Sequence, residues 1–98
     1  MIEHIVLIKS LPNTTIRQKE QLIQKTLKLK EIIPGILDIQ QGNNFSDRSK
    51  GYDMGLTVRF EDRKSLENYI PHPAHQEIIA YLKEIGVEDT IIVDFEID

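Results

Sequence analysis

Alternating apolar and polar residues predict four strands along the chain, at residues 2–9, 36–42, 52–60 and 90–98. In the clearest of them every second residue is apolar: Tyr52, Met54, Leu56, Val58 and Phe60. The last strand alternates in the same way, and its residues expected to point inward are Ile91, Val93, Phe95 and Ile97. The second strand is more polar, as is typical of a sheet edge, and the pattern sets Ile36 on the face opposite Ile39.

The first strand is apolar on both faces. Ile5 and Leu7 lie on one face, and the residues on the other are Ile2, His4, Val6 and Ile8. The helices that accompany a small sheet can cover only one of its faces. The apolar residues on the other face therefore indicate that something else buries that face, most simply the sheet of a second copy of the chain. A histidine among apolar neighbours, such as His4, is more often a hydrogen-bonded structural residue than a catalyst.

Apolar residues at helical spacing predict a first helix between the first two strands. Thr14 or Thr15 can cap its start, Pro34-Gly35 ends it, and its apolar stripe contains Leu22, Ile23, Leu29 and Ile33. Thr26 lies inside this stripe, where a plain core would prefer a larger aliphatic residue. Its hydroxyl can bond back to the carbonyl of Leu22, or it can face a cavity.

The most specific stretch is residues 69–75, Tyr-Ile-Pro-His-Pro-Ala-His. Pro71 should break the helix that arrives from Asp62, and Pro73 suits the first turn of a new helix, which Gly86 ends. His75 then lies in that first turn, where the positive helix end lowers its pKa. A neutral histidine can accept a proton, which makes His75 a candidate general base.

The resulting order, β-α-β-β-α-β, predicts an α+β fold of the ferredoxin-like type: a four-stranded antiparallel sheet with both helices on one face. The open face must be buried, and pairing two sheets across a two-fold axis gives a dimeric α/β barrel. We therefore expect a homodimer whose interface buries at least roughly 1,600 Å² in total.

Composition narrows the function. A chain of 98 residues fits one domain, residues 1–98, and a net charge of −4 argues against a nucleic-acid partner. The chain has no cysteine, which excludes disulfides, thiolate metal sites and cysteine catalysis. No apolar run approaches the roughly 20 residues that span a bilayer, so we expect a cytoplasmic protein without a membrane partner.

The chain resembles the stress-responsive dimeric α/β-barrel domains along nearly its whole length. The most specific match is Tyr-x-x-His-Pro-x-His at residues 69–75. The other matching segments are residues 4–7, 33–35, 42–46, 52–53 and 60–62. The resemblance implies the same fold and dimer as the periodicity.

The resemblance also implies chemistry, because the family includes a plant cyclase that closes a linear tetraketide by aldol condensation. The acid/base histidine of that enzyme corresponds to His75, its supporting tyrosine to Tyr69 and its first-strand histidine to His4. The enzyme also has a pocket tyrosine on its first helix, and the corresponding residue here is Thr26. This chain therefore lacks the aromatic wall and the phenol that the tyrosine provides. We expect Thr26, His72 and Leu22 to contact a small hydrophobic carbonyl or phenolic ligand, and we expect no cofactor.

Other interpretations stay open. His72 and His75 could bind a metal, but no nearby acid has ligand spacing, so we expect no metal site. The protein could instead resemble cofactor-independent monooxygenases, or be a non-catalytic ligand-binding or stress-associated dimeric domain. An enclosed cavity holding His4, Tyr69 and His75 favours an enzyme, whereas dense packing of these side chains on Leu22 and Ile78 favours a non-catalytic domain.

Overall fold

The computed structural model describes residues 1–97 of the chain. Within these residues the elements follow the order β1 (Ile2–Ser10), α1 (Ile16–Leu27), α2 (Leu29–Ile32), β2 (Ile36–Asn43), β3 (Met54–Phe60), α3 (Arg63–Tyr69), α4 (Pro73–Ile85) and β4 (Val87–Glu96). The strands form one antiparallel sheet in the order β2-β3-β1-β4. The predicted ferredoxin-like fold is confirmed. The first predicted helix is divided into α1 and α2, and the predicted break at Pro71 separates α3 from α4.

Capping residues fix the start of α1. Thr15 accepts a hydrogen bond from the Gln18 backbone and the Gln18 side chain accepts one from the Thr15 backbone, which forms a capping box. Lys28 separates α1 from α2, and α2 ends at Ile32 because Ile33 has an extended backbone. Gly35, whose φ is +90°, then leads the chain into β2. None of the helices among residues 1–97 has the length and apolar character needed to cross a membrane.

The strand β4 differs from its prediction in two ways. It begins at Val87 rather than at residue 90, and the predicted end at Asp98 lies outside the described residues. The prediction that Ile91, Val93 and Phe95 point toward the helices is wrong. Their side chains are 39–45% exposed. They pair with the odd-numbered residues of β1, on the sheet face away from the helices. Alternation shows which residues share a face, but it does not show which face the helices cover.

The edge strand β2 contains an irregularity that changes which of its residues face the helices. Its pairing with β3 shifts by one residue between Ile36 and Asp38. Ile36 and Ile39 are therefore both buried, at 8% and 5% exposure, although strict alternation sets them on opposite faces. The same shift turns Gln41 to the helix side, where it pairs with Leu56 of β3.

The core between the helices and the sheet consists of two clusters of buried side chains. The larger cluster contains Ile2, Leu29, Ile33, Ile36, Ile39, Leu56, Val58, Phe60 and Tyr69. The smaller cluster contains Ile8, Leu22, Met54 and Ile85. Val6 and Ile78 are partly buried and pack against both clusters. These two residues therefore mark a seam within the core.

Candidate active site

The junction between α3 and α4 forms as the two prolines predict. Helix α3 ends at Tyr69, and α4 starts with Pro73 in its first turn. The N-cap of α4 is His72, whose Nδ1 accepts a hydrogen bond of 3.1 Å from the backbone N–H of Ala74. Because Nδ1 uses its lone pair to accept this bond, the ring hydrogen of His72 is on Nε2 when the residue caps the helix.

His75 lies in the first turn of α4 with its ring half-buried. Its Nδ1 is 2.9 Å from the backbone oxygen of Ile70. A carbonyl oxygen only accepts, so Nδ1 carries the hydrogen and Nε2 of the neutral ring keeps a lone pair. Burial lowers the pKa of His75, the hydrogen bond to Ile70 opposes this effect, and the imidazoles of His4 and His72, when protonated, lower the pKa further. The pKa of His75 is lowered, as predicted, but the main cause is burial of the ring and not the positive end of the helix.

Tyr69 is buried between His75 and the sheet, with 1% of its surface exposed. Its ring centroid is 4.1 Å from that of His75, at an interplanar angle of 33°, and 5.0 Å from that of Phe60. Burial raises the pKa of the Tyr69 phenol well above its ordinary value. The hydroxyl therefore stays protonated at neutral pH and can donate a hydrogen bond.

His4 completes the aromatic cluster from β1. The residue is 6% exposed, and its ring centroid is 5.9 Å from that of Tyr69 and 6.1 Å from that of Phe60. Its Nδ1 donates a hydrogen bond to the carboxylate of Asp94, its cross-strand partner on β4. This bond orients the ring and leaves Nε2 as the acceptor nitrogen of the neutral form.

Asp94 is the site residue that the sequence reasoning missed. It lies beside His4 because β1 and β4 are adjacent in the sheet, although the two residues are 90 positions apart. A signal was present: Asp94 is a single acid inside the otherwise apolar run of residues 91–95. The predicted alternation, however, sets Asp94 on the outward face, opposite Ile91, Val93 and Phe95, and an acid that faces water needs no partner.

The residues predicted to contact a ligand are only partly brought together. His72 is next to the cluster along the chain, but its side chain caps α4. Thr26 is 1% exposed, and its hydroxyl donates a 2.8 Å hydrogen bond to the Leu22 backbone oxygen, the first of the two alternatives given above. Leu22 belongs to the smaller core cluster, and Tyr69 to the larger one. The roles of these three residues in ligand binding stay predictions.

A groove of about 240 Å³ borders Asp94, between α3 and the edge of β4. It is lined by Ile2, Arg63, Leu66, Glu67, Asp94, Phe95 and Glu96. The rings of His4, Tyr69 and His75 are not part of this lining, because they pack against one another.

Within residues 1–97, no three histidine, cysteine, aspartate or glutamate residues are grouped so that they could hold a metal ion.

A four-stranded antiparallel sheet with its helices on one face is the ferredoxin-like architecture of small α+β domains. Residues 2–97 match the model of the stress responsive A/B barrel domain, Dabb, and the chain belongs to this family. The resemblance described from the sequence is therefore confirmed.

Individual relatives fit this assignment. The chain is 32% identical to olivetolic acid cyclase of Cannabis sativa over 76 residues, which cover 76% of this chain and 75% of that protein. A solved dimeric ferredoxin-like protein of unknown function from Jannaschia has a TM-score of 0.83 at 24% identity, with 98% of each chain covered. The structure of hydroxynitrile lyase from Passiflora edulis has a TM-score of 0.87 at 19% identity, with 99% and 93% covered. At these identities the two structures show the fold alone.

Proposed function

We propose that this chain forms a homodimer that performs cofactor-free acid/base chemistry, of the cyclase or lyase type, on a small carbonyl compound. The observation that carries the proposal is the hydrogen bond from His75 Nδ1 to the Ile70 oxygen. It leaves a basic Nε2 on a ring whose pKa is lowered, so the neutral form prevails at physiological pH. The names of two relatives, a cyclase and a lyase, support these reaction types.

In the proposed step, His75 Nε2 removes a proton from the carbon next to a substrate carbonyl. The C–H electron pair forms an enolate, whose oxygen accepts a hydrogen bond from the Tyr69 hydroxyl. The enolate carbon then forms a bond to a second carbonyl carbon of the same substrate, and the π electrons of that carbonyl move to its oxygen. The alkoxide takes the proton back from Nε2, so that no external acid or base is consumed. His4, held by Asp94, orients the substrate.

The homodimer is proposed from the sheet face that the helices leave open. The side chains of Ile91, Val93 and Phe95 are together on this face, and each is at least 39% exposed. A contiguous apolar surface of this kind favours association, since water would otherwise contact it. The Jannaschia relative, which is described as dimeric, supports the same arrangement.

The experiment compares wild type with His75→Ala and His4→Ala, using β-dicarbonyl compounds and small phenols as substrates. Loss of a general base should lower turnover by about 10²–10⁴-fold in His75→Ala, whereas His4→Ala should lose less. Glu77→Ala is the matched control, because Glu77 is an exposed residue of α4, two positions after His75, and has no role in the proposed site. Circular dichroism and light scattering check that each variant keeps its fold and association state.

Histidine titration by NMR gives an independent reading. If His75 titrates above the ordinary value of about 6.5 and no compound shifts its resonances, the assignment of His75 as a base is wrong.

A second candidate function, ligand binding without catalysis, is favoured by the dense contact of the Tyr69 and His75 rings. It predicts that a compound shifts the His75 resonances while turnover is absent in wild type.

A further inference from the structure

His72 connects the end of α3 to the first turn of α4 through three hydrogen bonds. Its Nδ1 accepts one of 3.1 Å from the Ala74 N–H, and its backbone oxygen accepts one of 2.9 Å from the Gln76 N–H. Its own backbone N–H donates one of 3.1 Å to the oxygen of Tyr69. The residues on both sides of His72 are prolines, which have no N–H to donate. The junction therefore depends on a single residue for these bonds.

The position of the His75 ring depends on the same junction. The Ile70 backbone oxygen accepts a hydrogen bond of 2.9 Å from His75 Nδ1 and another of 2.8 Å from the Gln76 side chain. Both donors are in the first turn of α4, whereas the oxygen belongs to the C-cap residue of α3. The His75 ring therefore keeps its place while the first turn of α4 stays against the end of α3.

The cap that His72 provides requires an uncharged ring. A protonated imidazole carries a hydrogen on both nitrogens and accepts no hydrogen bond. Its Nδ1–H would face the Ala74 N–H, and its charge would lie at the positive end of the α4 dipole. The first turn of α4 therefore loses its side-chain partner when His72 takes up a proton.

Within residues 1–97 no carboxylate compensates a charge on His72, because none of the four ion pairs there includes this residue. The titratable groups in the last turn of α3, in the first two turns of α4 and on the helix side of β1 and its partner strand are Glu67, Tyr69, His75, Glu77, His4 and Asp94. The two glutamates are exposed, so solvent screens them. A charge on His72 does act on the site, since it lowers the pKa of His75.

We propose that His72 is a pH-dependent positioning residue of the candidate site: its uncharged ring holds His75 in place, and its protonation releases His75. This inference rests on the proposed function only for the role of His75 as the base. Titration of His75 does not explain such a release, because a protonated His75 ring keeps its Nδ1 hydrogen and hence its bond to Ile70. Acid thus disables the site by moving the base as well as by protonating it.

The test is hydrogen exchange of the Ala74 and Gln76 amides, expressed as protection factors at about pH 7.5 and about pH 5. An ordinary histidine, with a pKa of about 6.5, is almost fully protonated at the lower pH. Wild type should lose about fivefold in protection there, which is the roughly 1 kcal/mol of a helix cap converted at about 1.36 kcal/mol per tenfold. His72→Asn keeps an acceptor at both pH values and should lose nothing, whereas His72→Ala should show the loss at both.

The His75 ring gives a second reading in the same samples. At about pH 5 its Nδ1 hydrogen should exchange with water faster in wild type than in His72→Asn, because only wild type has lost the cap. Glu77→Gln is the matched control, since it removes an exposed titratable group of α4 without touching the cap, and it should follow wild type.

The outcomes separate this inference from the proposed function. If wild type keeps its protection at pH 5, or if His72→Asn loses as much as wild type, the role of His72 is refuted, and turnover by wild type but not by His75→Ala would still support the base. If His72→Asn abolishes the pH response but no carbonyl compound is converted by wild type, the positioning role stands and the proposed function fails.

Discussion

Asp53, just before β3, provides a quantitative test of how the polar end of the sheet is held together. Its carboxylate is 2.6 Å from Lys19 Nζ of α1 and accepts a 2.8 Å hydrogen bond from the Ser10 backbone at the end of β1. Burial alone would raise the pKa of Asp53, but the bonds from Lys19 and Ser10 outweigh it and lower the pKa from 3.8 to about 2. We predict that Asp53→Asn destabilises the fold at neutral pH.

The magnitude follows from linkage between proton binding and folding. The difference between 3.8 and about 2 corresponds to about 2.4 kcal/mol at about 1.36 kcal/mol per pKa unit. The side chain is 30% exposed, and solvent screening reduces this figure to about 1 kcal/mol. Because the folded pKa is the lower one, the unfolded chain binds the proton more readily. The contribution is complete above about pH 5 and is lost as the pH falls through the folded pKa of about 2.

The assay is urea unfolding, followed by circular dichroism at one fixed protein concentration. At pH 7, Asp53→Asn should lose about 1 kcal/mol relative to wild type, and at pH 3 about half of that difference should remain. Asp47→Asn is the matched control, since it removes the same charge from an exposed loop position. A pH 7 difference no larger than that of Asp47→Asn, or a difference that stays constant down to pH 2, would refute the reasoning.

Three further predictions concern packing, capping and association. Thr26→Val should be nearly neutral, whereas Thr26→Tyr should overpack this buried site and cost about 1–3 kcal/mol; equal melting temperatures would contradict the packing seen here. His72→Ala should cost about 1 kcal/mol and His72→Asn should not, as measured by thermal unfolding; equal losses would exclude the cap. Light scattering at micromolar concentration should give twice the chain mass of 11.4 kDa, and Phe95→Glu should reduce it; a monomeric wild type would exclude the homodimer.

The sequence predicts the elements well because their signals are local. Alternation, capping threonines and paired prolines act within a few residues, and each predicted element is present among residues 1–97. The shift in β2 could not be predicted, because an extra residue in a strand becomes visible only against its partner. The early start of β4 depends likewise on the pairing of Val87 with Ser10, where the register also shifts.

The candidate site likewise contains one contact that the sequence predicts and others that depend on how the strands pair. Tyr69 and His75 are close because one short break in the chain brings them together, and the sequence shows that break directly. The contact of His4 with Asp94 depends on which strands are neighbours and in what register, information that no local pattern contains. The buried amide of Gln41 depends on a register shift as well, so it is visible only in the folded chain.

The shift in β2 also bears on how the specificity of this fold can diversify. Leu37 is the residue without a partner on β3, so its deletion would restore strict alternation and leave Ile36, Ile39 and Gln41 on the helix side, with the pairs beyond the irregularity unchanged. Deletion of Gln40, by contrast, would turn Gln41 and the residues after it to the opposite face, since side chains alternate along a strand. In this strand the position of a length change therefore decides whether the set of inward-facing side chains is kept or replaced.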